Sequence, residues 1–256
     1  IVMPSVIGID IGGTKIAGIR YERDSWKPLE EKKIPTQASR GFTAVLEDVA
    51  AMIAELRAED TVSVGIGVPG PVKDGILRNA PNIPKSENVD VRATLSGSVD
   101  LPVTVINDNQ GFAYAEATLG AGRGKSVVVA VAFGTGVGGG IVIDGKIFGG
   151  AHGSAGEFGH TLLVPGNPPF ETDDRRGETE QFLSGTSWKH RCKNATTPDD
   201  YLNGDVCSFL HPEIYKEAAW LFTNLIYGFD PDVIVIGGSA GRALQNHIPQ
   251  ILDELK

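Results

Sequence analysis

Asp108 stands between Asn107 and Asn109 at the end of a short apolar stretch, Val103–Ile106. A carboxylate presented at a strand end between two amides is placed to accept a hydroxyl proton. The same triplet also suits a turn in which Asp and Asn bond their own backbone. Asp10 lies two residues before Gly12-Gly13-Thr14-Lys15. A carboxylate beside a phosphate-binding turn is a ligand for Mg2+, directly or through water; its plainer role is to cap the turn. Thr14 offers phosphate a hydroxyl and Lys15 a cation, although Lys15 also reads as a solvated strand charge.

Gly134-Thr135-Gly136 repeats the glycine–threonine pattern after the apolar run Val127–Phe133. Each turn exposes backbone N–H groups that attract a polyphosphate. Either alone is what an ordinary hairpin looks like. Two of them, each after a buried strand, favour phosphate. Gly156-Glu157-Phe158-Gly159-His160 places Glu157 and His160 three residues apart. On a helix that spacing shares a face and suits a pair of hydroxyl-binding groups or half a metal site. Glu171–Glu180 (ETDDRRGETE) reads as a solvated charged loop.

The elements that must carry these residues follow from periodicity. Val6–Ile11 and Lys15–Arg20 flank the first glycine turn as a hairpin. Thr43–Arg57 has helical apolar spacing at Val45, Leu46, Val49, Met52, Ile53 and Leu56. Val62–Val68 is a strand stopped by Pro69-Gly70-Pro71, and Lys73–Ser98 reads mostly as loop. Val103–Ile106 is a short strand and Phe112–Leu119 a helix. Val127–Phe133 and Gly140–Ile143 are strands, with a hairpin at Asp144-Gly145 leading to Lys146–Phe148. Ile214–Phe229 is a helix apolar on most faces, and Val233–Ile236 is a strand running into Gly237-Gly238. Strand, Gly/Thr turn, strand and a later strand occur in both halves, so the chain reads as a weak internal repeat of two α/β halves whose turns face each other.

Composition narrows the classes. The chain has 256 residues, 23 basic and 32 acidic, a net charge of −9. That balance disfavours nucleic acid and anionic membranes as partners. Its longest wholly apolar run, Val127–Phe133, is far short of the roughly 20 residues that span a membrane. No secretory signal precedes Ser5–Gly8, and two cysteines, Cys192 and Cys207, make a single bridge at most; both points fit a reducing cytoplasm. Ile1 and Val2 precede Met3, which reads as a start. Glycine is in excess, with 15 of the 33 lying between Gly111 and Gly159, which implies backbone that turns tightly or approaches something closely.

In this order the motifs resemble the ROK family (repressors, open reading frames, kinases) of sugar kinases, within the hexokinase/actin-like superfamily. The resemblance rests on IGIDIGGTKIAG at 7–18, VGIGVPGPV at 64–72, APNIP at 80–84 and INDNQGFAYAEATLGAG at 106–122. FGTGVGGGIVIDGKIFGGAHGSAGEFGH at 133–160, ETEQFLSG at 178–185 and DPDVIVIGG at 230–238 complete it.

The resemblance implies a two-lobed α/β, actin/hexokinase-like (ribonuclease H-like) fold. Residues 1–110 would form a smaller lobe and 111–256 a larger one, with the active site in the interdomain cleft. It implies that Asp108 is the general base and that Gly70, Asn82, Asn107, Glu157, His160 and Glu180 line a sugar site. Gly12, Gly13, Thr14 and Lys15, with Gly134, Thr135 and Gly136, would hold the ATP phosphates. Gly237 and Gly238 would approach the adenosine, and Asp10 would hold Mg2+. The implied reaction is transfer of the γ-phosphoryl group to a hexose, glucose at its 6-hydroxyl first. N-acetylglucosamine, N-acetylmannosamine and fructose stand as other acceptors, polyphosphate as another donor, and a homodimer as the assembly.

Three departures bear on the expectation. Many family members carry a Cys-x-Cys-Gly-x-x-Gly-Cys-x-Glu zinc loop; here Glu171, Asp173 and Glu178 take the cysteine positions, so no structural zinc is expected. Asn-Asp-Asn-Gln replaces the frequent Asn-Asp-Ala-Asn. The chain ends at Lys256, soon after Gly237-Gly238, where relatives add a further strand and helix. A sugar-responsive regulator of the same family would need a DNA-binding domain, and only nine residues precede Asp10. A catalytically silent sugar-binding protein is the remaining alternative.

Overall fold

The computed structural model describes residues 3–256, apart from the side chains of Pro198 and Asp199; Ile1 and Val2, on which the reading of Met3 as a start turns, lie outside it. The chain divides into two compact units, one running to Gly111 and including Gly149–Ser154, the other comprising Phe112–Phe148 and Ala155–Lys256. Gly149–Ser154 thus returns from the second half of the chain to the first unit. It is held within the first unit by Gln110 Nε2, which donates to the Gly153 carbonyl at 3.2 Å. Gly153 also lies so close to Val72 that a Cβ would meet its carbonyl oxygen at 2.1 Å.

The first unit begins with β1 (Ser5–Ile11), β2 (Lys15–Glu22) and β3 (Pro28–Pro35), followed by α1 (Phe42–Leu56) and β4 (Thr61–Val68). Three two-residue strands, β5 (Val72–Lys73), β6 (Ile76–Leu77) and β7 (Val89–Asp90), precede α2 (Val91–Val99), β8 (Val103–Asn107) and the start of α3 (Asp108–Thr118). The main sheet runs β3-β2-β1-β4-β8. β1 pairs antiparallel with β2 and parallel with β4, and β8 pairs parallel with β4. Strand alternation puts Ile7, Ile9 and Ile11 into one core, where α1 lays Phe42, Val45, Leu46, Val49, Met52, Ile53 and Leu56. Truncating one of these fully buried side chains to Ala costs about 2–5 kcal/mol.

Two elements depart from the expected pattern. β3 (PLEEKKIP) is an exposed edge strand without apolar alternation; its lysines and glutamates discourage pairing with another chain. Residues 73–98 are not mostly loop. The small sheet β5-β6-β7 and α2 take half of them and 78–88 stay irregular; α2 is amphipathic through Val91, Leu95 and Val99 and capped by Asp90, whose Oδ1 accepts from Ala93 N at 2.8 Å.

The second unit continues with β9 (Val127–Phe133), β10 (Val137–Ile143) and β11 (Lys146–Ile147), then α4 (Thr179–Leu183), α5 (Gly185–Arg191), α6 (His211–Phe229), β12 (Val233–Gly237), α7 (Ser239–Leu244) and α8 (Ile248–Glu254). Its sheet runs β11-β10-β9-β12, with β9 antiparallel to β10 and parallel to β12. The internal repeat is therefore real: β2-β1-β4 and β10-β9-β12 have the same order and sense. β9 is covered on both faces. Val129, Val131 and Phe133 point into a core with Trp188, Ile214 and Leu221, and Val128 and Ala130 into another with Ala113 and Val235. α6 is less buried than its composition implied. It begins at His211 and leaves Trp220, Ile226 and Tyr227 exposed. Helices follow Gly238 to the end of the chain. Among the described residues no helix is long and apolar enough to cross a membrane.

Cys192 and Cys207 form a disulfide with Cα atoms 5.9 Å apart, the single bridge that two cysteines allow.

Candidate functional site

In the first unit, parallel pairing of β1, β4 and β8 carries Asp10, Gly67 and Ile106 to the same end of the sheet. Asp108 follows at once, because α3 starts there and not at Phe112. The helix start is built by Asn107: its Oδ1 accepts from Asn109 N and Gln110 N, both at 3.0 Å, and its Nδ2 donates to the Gly70 carbonyl at 3.1 Å. Asn107 is buried and occupied with backbone, so its role is to fix the helix start and Gly70. Gly70 admits no side chain, since a Cβ would lie 2.0 Å from the Asn79 carbonyl oxygen.

Asp108 is half-buried. Asn109 gives it two hydrogen bonds, from N at 2.8 Å and Nδ2 at 2.9 Å, and both fall on Oδ1. Loss of hydration raises the Asp108 pKa above the usual carboxylate range, the Asn109 bonds oppose it, and the negative field of Asp10 adds to it. Loss of hydration likewise raises Asp10, with Lys15 pulling it down. Gly67 lies between the two; a Cβ there would stand 3.6 Å from Asp108 Cα and 3.8 Å from Asp10 Oδ1.

Gly12 N donates to the Lys15 carbonyl at 2.9 Å, closing the first glycine turn, and buried Thr36 donates from Oγ1 to the Gly12 carbonyl at 2.6 Å. Gly13, Thr14 and Lys15 are exposed. Asn82, distant in sequence, lies against Gly13, where a Cβ would meet the Asn82 Cβ at 3.2 Å. Thr36 carries no sequence signal that marks it as the clamp of this turn. A single carboxylate, Asp10, beside an exposed glycine turn would suit Mg2+, which keeps most of its waters and takes one or two carboxylates.

In the second unit, Gly134 N donates to the Gly136 carbonyl at 2.9 Å, and Thr135 is exposed. Helix α5 docks behind this turn: Gly185 N donates to the Gly134 carbonyl at 2.8 Å and Thr186 Oγ1 to the Thr135 carbonyl at 2.7 Å. Glu180, on α4, accepts from Val137 N at 2.8 Å through Oε2. Glu157 precedes a single 3-10 turn, Phe158–His160, not an α-helical face. That turn packs on β10, where a Cβ at Gly139 would meet Phe158 Cδ2 at 2.4 Å. Much of the glycine excess is backbone packed on backbone. Gly238, with φ +83°, caps α7 against the Phe133 carbonyl, and Gly237 makes room for Phe112.

The acidic stretch is not a solvated loop throughout. Gly177, Glu178 and Thr179 are buried, and residues 174–179 run alongside 161–166. Arg176 and Glu178, which no motif singled out for a role together, form a 2.6 Å ion pair beside His160. Among the described residues no group of three or more His, Cys, Asp or Glu could hold a metal ion.

Two sheets with the same β-hairpin-plus-parallel-strand core, each carrying a glycine turn, define an actin/hexokinase-like α/β fold. The chain belongs to the ROK family, which it matches over residues 6–254. It is 35% identical to an N-acetyl-D-glucosamine kinase of Salmonella paratyphi C over 257 aligned positions, covering 90% of this chain and 82% of that one. Its fold is similar to a ROK family glucokinase from Streptomyces griseus in complex with glucose and AMPPNP. The TM-score is 0.81 at 28% identity, with 98% of this chain and 89% of that one covered. An inorganic polyphosphate/ATP-glucomannokinase from Arthrobacter sp. strain KM matches with a TM-score of 0.71 at 29% identity, over 96% and 88% of the two chains.

Proposed function

We propose that this chain is an ATP-dependent hexose kinase. The observation that carries the reading is Asp108: a half-buried carboxylate at the β8–α3 junction, clamped on Oδ1 by Asn109 and leaving Oδ2 for a substrate. In this mechanism Asp108 takes the proton from a sugar hydroxyl as its oxygen bonds to the γ-phosphorus. The bond from that phosphorus to the β–γ bridging oxygen breaks and ADP leaves. Gly70, Asn82, Asn107, Glu157, His160 and Glu180 hold the sugar, with Asn107 acting through the backbone it pins. Gly12, Gly13, Thr14 and Lys15, with Gly134, Thr135 and Gly136, hold the phosphates, and Gly237 and Gly238 approach the adenosine. Asp10 would hold Mg2+, directly or through water, and the ion would supply charge neutralisation at the phosphates. ATP as donor is supported by the nucleotide analogue bound in the Streptomyces relative.

Glucose, phosphorylated at its 6-hydroxyl, is one reading of the acceptor. A second, N-acetylglucosamine, is favoured by the 35% identity to kinases of that sugar. Use of ATP and free hexose supports a cytoplasmic location, and the exposed Trp220, Ile226 and Tyr227 on α6 support a homodimer. The test is ADP release from Mg-ATP and from polyphosphate across glucose, N-acetylglucosamine, N-acetylmannosamine and fructose, with Asp108→Ala as the blank. Turnover with one sugar, abolished in the variant, names the acceptor. Sugar-dependent thermal stabilisation without any turnover would leave a sugar-binding protein and sink the kinase reading.

A further inference from the structure

We infer that Glu178 is a positioning residue that fixes His160 as its Nδ1–H tautomer, so that Nε2 faces a ligand as a hydrogen-bond acceptor, in a strap closed by Arg176 in place of a metal. The inference rests on the proposed sugar site and names the chemistry of one of its contacts: His160 accepts from a sugar hydroxyl.

The strap is Asp174–Thr179. Its closure uses only protein groups. Leu163 N and Val164 N donate to the Gly177 carbonyl at 2.9 and 3.1 Å, Gly166 N to the Arg176 carbonyl at 3.1 Å, and Thr179 N to the Thr161 carbonyl at 2.8 Å. Gln181 reaches back from α4, accepting from Gly177 N and Glu178 N through Oε1 and donating to the Asp174 carbonyl through Nε2 at 2.6 Å. Arg176 folds over the outside and pairs with Asp174 and Glu178.

Glu178 is the only buried carboxylate of the three at the expected cysteine positions, with 7% of its side chain exposed. Its oxygens are divided: Oε1 meets Arg176 Nη1 at 2.6 Å, and Oε2 faces His160 Nδ1 at 3.2 Å. Zinc does not fit here. The donors at these positions are hard carboxylates where zinc selects thiolate and imidazole, and a guanidinium already neutralises the buried one. Arg176 Nη1 takes Oε1, which leaves Oε2 as the oxygen that faces His160 Nδ1. In the neutral imidazole, an acceptor opposite Nδ1 requires the hydrogen on Nδ1, which leaves a lone pair on Nε2. The imidazole is 61% exposed, so Nε2 is available to a ligand.

The test combines a tautomer assignment with kinetics on the full chain. Two-bond 1H–15N correlation of 15N-histidine-labelled protein, with the His160 signals assigned by their loss in His160→Gln, reads which ring nitrogen carries the hydrogen. Wild type shows Nδ1–H; Glu178→Gln, which has one acceptor oxygen to divide between Arg176 and His160, shows a tautomer mixture. In the same variant KM for the sugar rises roughly tenfold, while kcat and KM for ATP stay within about twofold, the range for removing a group that orients a ligating histidine. Arg176→Met, whose fold is checked by thermal melting because it leaves the buried Glu178 without its guanidinium, shifts both readouts in the same direction. An Nε2–H tautomer in wild type, stoichiometric zinc in the purified protein, or both variants unchanged in tautomer and KM overturns the inference. Failure of the kinase reading is separately visible: no sugar is then turned over, whereas the tautomer is measured without substrate.

Discussion

Glu180 accepts the backbone N–H of Val137 at 2.8 Å, so a carboxylate on a helix is bonded to the residue that leaves the second glycine turn. The group expected to contact sugar is thus tied, within one unit, to the turn expected to hold phosphate. A Cβ at Gly136 would stand 2.3 Å from Glu180 Oε2. Gly136→Ala therefore swings Glu180 away and frees Val137 N. Because Glu180 is a flexible side chain, the fold loses only about 1–2 kcal/mol, but kcat/KM falls at least roughly tenfold. Paired denaturation and steady-state kinetics check this, and full activity in Gly136→Ala would remove Glu180 from the site.

Asp108→Asn keeps the shape of the base and removes its proton affinity. The expected loss in kcat is about 10²–10⁴-fold, with sugar-induced thermal stabilisation retained. A loss confined to KM would reassign Asp108 to binding.

The neighbours of Asp108 predict opposite movements of the pH profile. As the proposed base, Asp108 works ionised, so kcat/KM is expected to fall as pH drops through its raised pKa. Asn109→Ala removes the Nδ2 hydrogen bond that favours the ionised form, keeps the one from the backbone N–H, and moves this acid limb to higher pH. Asp10→Asn removes a repelling charge and moves the limb to lower pH, whatever it does to the maximal rate. Limbs that move together, or not at all, would contradict the electrostatic coupling.

Arg191 is buried on α5 and bonds Glu217 at both oxygens, 2.8 and 2.9 Å, as well as Glu213 at 2.7 Å. Burial pushes Glu217 up to about 7 from the ordinary 4.5. Between those values the folded state holds a proton that the unfolded state has lost. This contribution to stability is therefore full below pH 4.5 and disappears as pH rises through about 7. Arg191→Met strands the carboxylate and costs about 3–5 kcal/mol. Urea titrations at pH 5 and pH 8 should show the larger loss at pH 8.

The Cys192–Cys207 bridge spans a sequence separation of 15 and ties the end of α5 to the segment before α6. Loop-closure entropy predicts a loss of about 3 kcal/mol on reduction or in Cys192→Ser/Cys207→Ser. Melting with and without dithiothreitol measures it; identical curves would mean that the thiols are free in solution, as the cytoplasmic reading prefers.

Local patterns made much of this protein legible. Strands β1, β4, β8, β9 and β12 are short apolar runs bounded by turn residues, and α1 declares itself by spacing, because burial of one face imposes a period on the chain. The glycine turns, Asp10 and Asp108 were readable for the same reason: a turn and the residue that ends a strand are adjacent in sequence. Charged edge strand β3 and short helix α2 escaped, since neither has a long apolar period to announce it. What only the tertiary structure decided lies in pairings across sequence. Thr36 clamps Gly12, Asn107 pins Gly70, Glu180 reaches Val137, and Arg176 with Glu178 holds His160, converting a stretch that reads as solvated charge into a buried support. Hydrogen bonds between side chains and distant backbone leave no periodic trace, so the residue types could be named from the chain, but their partners are determined only when the sheets bring them together.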